Sequence, residues 1–154
     1  MGTINGVVLK ELTTHSDDRG FFREMVRTTD DFFKEGFGQC SHSLMFDGVI
    51  KAWHLHNIQT DWWYVFSGVL RVVLCDMRTD SSTYKITMDF LMGDLQQPQV
   101  VKIPPGVAHG CKTVQGPVNL FYITSNIYNP DDEIRIQYND PKIGFDWLSG
   151  PPIK

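Results

Sequence analysis

The chain holds two stretches in which residue type and spacing could support chemistry. In the first, Gly48-Val49-Ile50-Lys51-Ala52-Trp53-His54-Leu55-His56, two imidazoles stand two residues apart, and Asp61 and Gly68 follow. Residues two apart in a strand point to the same face, so His54 and His56 can both turn inward. Inward imidazoles are costly in an apolar interior unless they are hydrogen-bonded, metal-bound or catalytic. The second stretch, Ile103-Pro104-Pro105-Gly106-Val107-Ala108-His109-Gly110, sets a Pro-Gly turn just before another imidazole. Such a turn is expected to deliver His109 into the strand that follows. The bland reading is a pair of hydrogen-bonded core histidines; the sharper one is a shared cavity.

The elements that would position these residues are strands almost throughout. Short β-branched and aromatic runs alternate with Gly, Pro, Asn and Asp, which reads as a sandwich or closed barrel rather than a parallel α/β sheet. The expected strands are 6–12, 20–26, 39–46, 49–54, 62–66, 69–76, 84–90, 99–103, 109–114 and 118–124. Ser67-Gly68 is expected to close a tight hairpin between two of them. Thr29–Lys34 is the helical candidate of the first half. The tail from Asn129, rich in Pro, Asp and Gly, is expected to wrap the barrel in turns. With 154 residues, 42% apolar and 21% charged, the whole of 1–154 is expected to form one domain with a real core.

Composition narrows the function classes. A formal net charge of -4 gives no electrostatic footprint for nucleic acid. No stretch approaches the apolar length of a membrane span. Cys40, Cys75 and Cys111 are scattered and odd in number, so no disulfide framework is expected, and a cytoplasmic setting suits them. Trp53, Trp62 and Trp63 are expected in the core or an interface, and Cys111 as a small core residue.

Together the two stretches resemble the paired motifs of cupins, Gly-x5-His-x-His-x4-Asp-x6-Gly and Pro-x-Gly-x2-His. The chain further resembles the dTDP-4-dehydrorhamnose 3,5-epimerase family. Asp18-Arg19-Gly20-Phe21-Phe22-Arg23-Glu24 is similar to that family's opening block, and Gln39-Cys40-Ser41-His42-Ser43 to its Gln-x-Asn-x-Ser strand. Asp76-Met77-Arg78 with Ser82-Thr83, then Ile103–Gly110, Tyr122, Tyr128, Glu133 and Asp146-Trp147, follow in the family's order. The resemblance implies an all-β fold, an antiparallel jelly-roll β-barrel of the RmlC-like cupin type. It implies epimerisation of a nucleoside-diphosphate-linked 4-keto-6-deoxy sugar through an enolate, in the making of polysaccharides, with no cofactor required. His54 takes the position of the base and Tyr122 that of the acid. Tyr128 and His109 line the same pocket, while Arg19, Gln39, Lys51 and Glu24 fall where the family holds its nucleotide. Taken alone, Tyr122 and Tyr128 read as packing residues. The family's subunits pair through N-terminal strands, so a homodimer is expected.

Departures from the family open two alternatives. Lys51 replaces an Arg, losing its bidentate fork. Asp61 replaces a lysine that meets the enolate oxygen, and the carboxylate that orients the base falls beyond Lys154. With His56 where the family has Gln, the set His54, His56, Asp61 and His109 matches the ligand types of a metal cupin. Such a set suits divalent Fe, Mn, Ni or Zn, and a different reaction. His54 cannot ligate an ion and act as a free base at once. The other alternative is a non-catalytic descendant that only binds a sugar nucleotide.

Overall fold

A computed structural model describes residues 2–94 and 96–149. Its elements in chain order are β1 (Val8–Glu11), β2 (His15–Asp17), β3 (Gly20–Phe22), a 3-10 turn (Asp31–Phe33), β4 (Gln39–Met45) and β5 (Ile50–His56). They continue as β6 (Asp61–Asp76), β7 (Thr87–Met92), β8 (Gln99–Ile103), β9 (Val107–Thr124) and β10 (Glu133–Arg135). The main sheet runs β1-β8-β6-β9-β5-β10, with β4 also on β9 and β7 also on β6, while β2 and β3 form a hairpin of their own. The pairings are antiparallel. The all-β reading holds. No helix among the described residues is long and apolar enough to cross a membrane.

Long strands β6 and β9 form the spine and correct two expectations. They pair from Asp61 opposite Thr124 to Asp76 opposite Val107. The expected hairpin at Ser67-Gly68 is therefore absent: both flanking runs stay on β9 as one strand. The register shifts around Ser67 and Val69 instead, a bulge that bends the strand without giving up the ladder. Gly68 has φ +77° there, and a Cβ on it would stand 2.7 Å from the Gln115 carbonyl oxygen. Likewise the runs expected at 109–114 and 118–124 are a single strand, β9.

Two smaller differences have local causes. The strand expected to start at Tyr84 starts at Thr87, because residues before it are drawn into turns around Asp76. Its carboxylate accepts from Ser81 and Thr83, and its carbonyl from the Lys85 N–H. The helical candidate shrinks to the 3-10 turn Asp31–Phe33, whose Phe33 ring packs edge-on against Trp62 at 4.6 Å.

Packing explains why β6 reads as a nearly unbroken apolar run instead of an alternating one. One face sends Trp63, Val65, Leu70, Val72 and Leu74 into the barrel interior. On its other face, Trp62 and Tyr64 meet Leu12, Phe33 and Val100, while Val73 and Cys75 meet Trp53, Ala108 and Trp147. A strand covered on both faces has no solvent side to mark with polar residues. As far as Ser149 the tail wraps the barrel as expected, but it adds β10 to β5 and locks Trp147 against Trp53 at 5.0 Å; its last five residues lie outside the described ones.

Candidate active site

The two histidine-bearing stretches are brought together by main-chain bonding. His54 on β5 lies opposite His109 on β9. The Gly106 N–H, in the turn that starts β9, donates to the His56 carbonyl at 2.7 Å. Between Lys51 and His54 the register shifts, which lets side chains three apart reach the same interior. The turn itself is buttressed: Arg78 lies over Gly106, where a Cβ would fall 2.3 Å from its Cγ. Arg78 in turn is held by the fully buried Asp76 through Nε and Nη2 at 2.8 Å each.

A cavity of about 210 Å³ opens inside the barrel. It is lined by His54, His109, Tyr122, Tyr128, Gln39 and Lys51, all expected as site residues, and also by His56 and Asp61. The His54 and His109 ring centroids stand 6.2 Å apart and those of His56 and His109 5.6 Å apart. Gln39 accepts the Tyr128 backbone N–H at 2.7 Å and donates to Ser41 at 3.1 Å. Lys51 donates to Ser43 at 2.9 Å. Arg19 and Glu24 are not at this cavity. Arg19 sits on the exposed β2–β3 hairpin and pairs with Asp17, and Glu24 pairs with Arg27.

Burial and partners set the protonation of the imidazoles. Burial pushes His109 down to about 4, so the ring is neutral near pH 7. It donates Nδ1–H to the Val107 carbonyl at 3.1 Å, leaving Nε2 as an acceptor. Burial also lowers His54, while the Glu133 carboxylate pulls the other way. Oε1 of Glu133 is 3.8 Å from His54 Nδ1. Cys111, also on the wall, is pushed up to about 12 by burial, which makes its thiol inert.

Asp61 accepts Gln59 Nε2 at 2.7 Å and Trp63 Nε1 at 3.1 Å. Gln59 Nε2 is also 3.3 Å from His56 Nε2. Gln59 belongs to the loop between β5 and β6, which the Asp132 carboxylate fixes by accepting the N–H groups of Asn57, Ile58 and Gln59. His56, Asp61 and His109 gather as a potential metal-holding group, and His54 does not join them. Of the four side chains the sequence offers as ligands, His56, Asp61 and His109 stand together, and the His54 ring turns to Glu133.

Sequence reasoning gave Glu133 and Gln59 no role. Glu133 reaches the site only because β10 pairs with β5, a contact across the whole fold. Gln59 carried a weak signal, its place two residues before Asp61.

A barrel of antiparallel strands with histidines from two paired motifs inside it defines a cupin. Within that class the chain belongs to the dTDP-4-dehydrorhamnose 3,5-epimerase family, whose model matches residues 2–154. It is 47% identical to the spore coat polysaccharide biosynthesis protein SpsL of Bacillus subtilis, over 94% of this chain and 96% of that one. It is 33% identical to the probable low-salt glycan biosynthesis epimerase Agl13 of Haloferax volcanii, over 96% of each. Among solved structures, a dTDP sugar isomerase from Desulfovibrio desulfuricans superposes with a TM-score of 0.88 at 25% identity, covering 97% of this chain and 95% of that one.

Proposed function

We propose that this cavity epimerises a nucleoside-diphosphate-linked 4-keto-6-deoxy sugar, with His54 as base and Tyr122 as acid. The observation that carries the reading is that these two side chains, from β5 and β9, line one cavity. A ketone acidifies the adjoining C–H bond because its electrons can move onto oxygen as an enolate. His54 Nε2 takes the proton, since Nδ1 faces Glu133. Tyr122 then returns a proton to the opposite face of the carbon, inverting it; afterwards His54 gives its proton up to solvent and Tyr122 takes one back. The sequence of steps is redox-neutral, so it needs no redox cofactor.

The space available fits a division of the ligand. Pockets that enclose a whole drug-sized molecule run to roughly 300–1,000 Å³, more than the barrel interior offers. The sugar enters, and the diphosphate and nucleoside extend past Lys51, Gln39 and Tyr128 at the mouth. Lys51 supplies a point charge for phosphate.

Arg19 and Glu24 serve that outer part from a second copy of the chain. The hairpin that carries Arg19, with Glu24 two residues past its end, stands apart from the main sheet, and its Phe21 and Phe22 are 56% and 62% exposed. Two neighbouring exposed aromatic rings are material for a homodimer contact, which would carry Arg19 to a partner's cavity mouth.

The test is solvent exchange. In D₂O, with dTDP-, UDP- or CDP-linked 4-keto-6-deoxy sugars, deuterium should enter at the carbon beside the ketone. His54→Gln should slow that entry by about 10³-fold, within the range set by removing a general base. Absence of exchange with every such sugar would overturn the assignment.

A further inference from the structure

Asp61 is a carboxylate only 4% exposed, and no lysine or arginine among the described residues pairs with it. Its hydrogen-bond donors, the Gln59 amide and the Trp63 indole, are both neutral. A carboxylate so shielded, with only neutral donors against it, has no counter-charge of its own among the described residues.

What converges around it is a set of acceptors. His109 has spent its Nδ1–H on the Val107 carbonyl, which leaves the Nε2 lone pair free. His56 Nδ1 has no hydrogen-bond partner, lies 3.7 Å from an Asp132 oxygen, and belongs to a residue 9% exposed. Imidazoles with one nitrogen turned to a carbonyl or carboxylate are oriented as metal-ligating histidines are. One ligand atom from each of His56, Asp61 and His109 lies within 4.8 Å of the others. Ligands about 2.0–2.2 Å from a shared ion stand closer together than that. A modest inward shift, with the Gln59 amide moving aside, would assemble them.

We propose that His56, Asp61 and His109 form a three-ligand site for a divalent transition-metal ion, and that His54 stands outside it. The two roles that compete for His54 in the sequence then fall to different residues. His54 faces Glu133 with its side chain 41% exposed, as a base needs, while the three ligands are buried. Two nitrogens and one oxygen suit Zn, Co, Mn or Fe with positions left open. The role of the ion, though not the site, rests on the epimerase reading. There it supplies a Lewis acid near the position where Asp61 has replaced the family's lysine.

The experiment uses the full chain after chelation, titrated with Co²⁺ and then Zn²⁺ alone, with no sugar nucleotide. One Co²⁺ per chain should bind with visible ligand-field bands and be displaced by Zn²⁺. Asp61→Asn and His56→Gln should each weaken binding by about 100-fold or more, a ligand loss costing at least what loss of an outer partner does. His54→Gln should keep both stoichiometry and spectrum. If the two ligand variants fail to fold, proton NMR of the wild-type Co²⁺ form decides, and shifted N–H signals from two imidazoles are expected. No saturable binding, unchanged affinity in folded Asp61→Asn, or loss of the ion in folded His54→Gln would each overturn the site, as would N–H signals from one or three rings. One bound ion without exchange at any 4-keto sugar would leave the site standing and remove the epimerase reading instead.

Discussion

Oε1 of Glu133 on β10 lies 3.8 Å from Nδ1 of His54 on β5. The pairing of the two strands creates this relationship, with Glu133 opposite His56 and Arg135 opposite His54. Arg135 also grips the same carboxylate, at 2.9 and 3.1 Å. The distance is longer than a hydrogen bond, and catalytic hydrogen bonds often tighten when substrate binds. With His54 as the proposed base, Glu133 is the carboxylate placed to orient it.

Replacing Glu133 by Gln should reduce kcat by about 10–100-fold with KM little changed, the pattern of lost positioning. The sign of the pH effect follows from the two largest influences on His54; Arg135, His56 and Asp61 add smaller ones. Burial lowers its pKa below 6.5 and Glu133 raises it, so loss of the charge lowers it further. The acidic limb of the kcat/KM profile should sit below pH 6.5 in the wild type and move lower in the variant. A limb that stays in place would refute the pairing.

Tyr122 should separate proton removal from inversion. If it is the acid, Tyr122→Phe keeps deuterium entry at the carbon beside the ketone but forms the inverted sugar about 10²-fold more slowly. NMR of the sugar distinguishes label retained with old configuration from label with new configuration. Equal loss of both would assign Tyr122 to packing.

Arg19 is predicted to act across a subunit boundary. Arg19→Ala should raise KM for the sugar nucleotide about 10-fold, and sedimentation should show a dimer in the wild type. Mixing Arg19→Ala with inactive His54→Gln should restore part of the activity, because one cavity in the hybrid has both native residues. No restoration in confirmed hybrids would place Arg19 in the cavity of its own chain or in none.

Asp76 should make the fold acid-sensitive. Burial opposes its ionisation, but hydrogen bonds from Arg78, Thr83 and Ser81 outweigh this and hold its carboxyl well below the usual carboxylate range. A pKa lowered by folding contributes stability above the unfolded value, about 3.9, and that stability is lost as pH falls below it. Asp76→Asn should cost about 3 kcal/mol at pH 7, since it strands Arg78, and flatten the fall in Tm below pH 4. Its link to the site is the turn at Gly106, so the variant should also lower activity.

Much of the fold, and many of the residues that line the cavity, are legible in the sequence. The alternation of β-branched runs with turn residues reads as a sandwich or closed barrel, because strand periodicity and turn chemistry are local properties, and the family resemblance narrows this to an antiparallel barrel. The same logic put His54 and His56 on one face and sent His109 off a Pro-Gly turn. Local patterns misled at Ser67-Gly68, where a turn-forming pair is a bulge. Nothing near it in sequence says that β9 runs alongside both flanks.

The chemistry of the individual groups belongs to the sequence: imidazoles, a phenol and carboxylates in a motif order that marks the family. Tertiary structure alone decided which of them meet. It gave His54 a carboxylate from β10, set Asp61 among neutral donors and imidazoles, and carried Arg19 away from the cavity. The reason is that pairing between distant strands, and the burial it imposes, sets distance and dielectric, and these shift proton affinity and decide which groups can share a ligand.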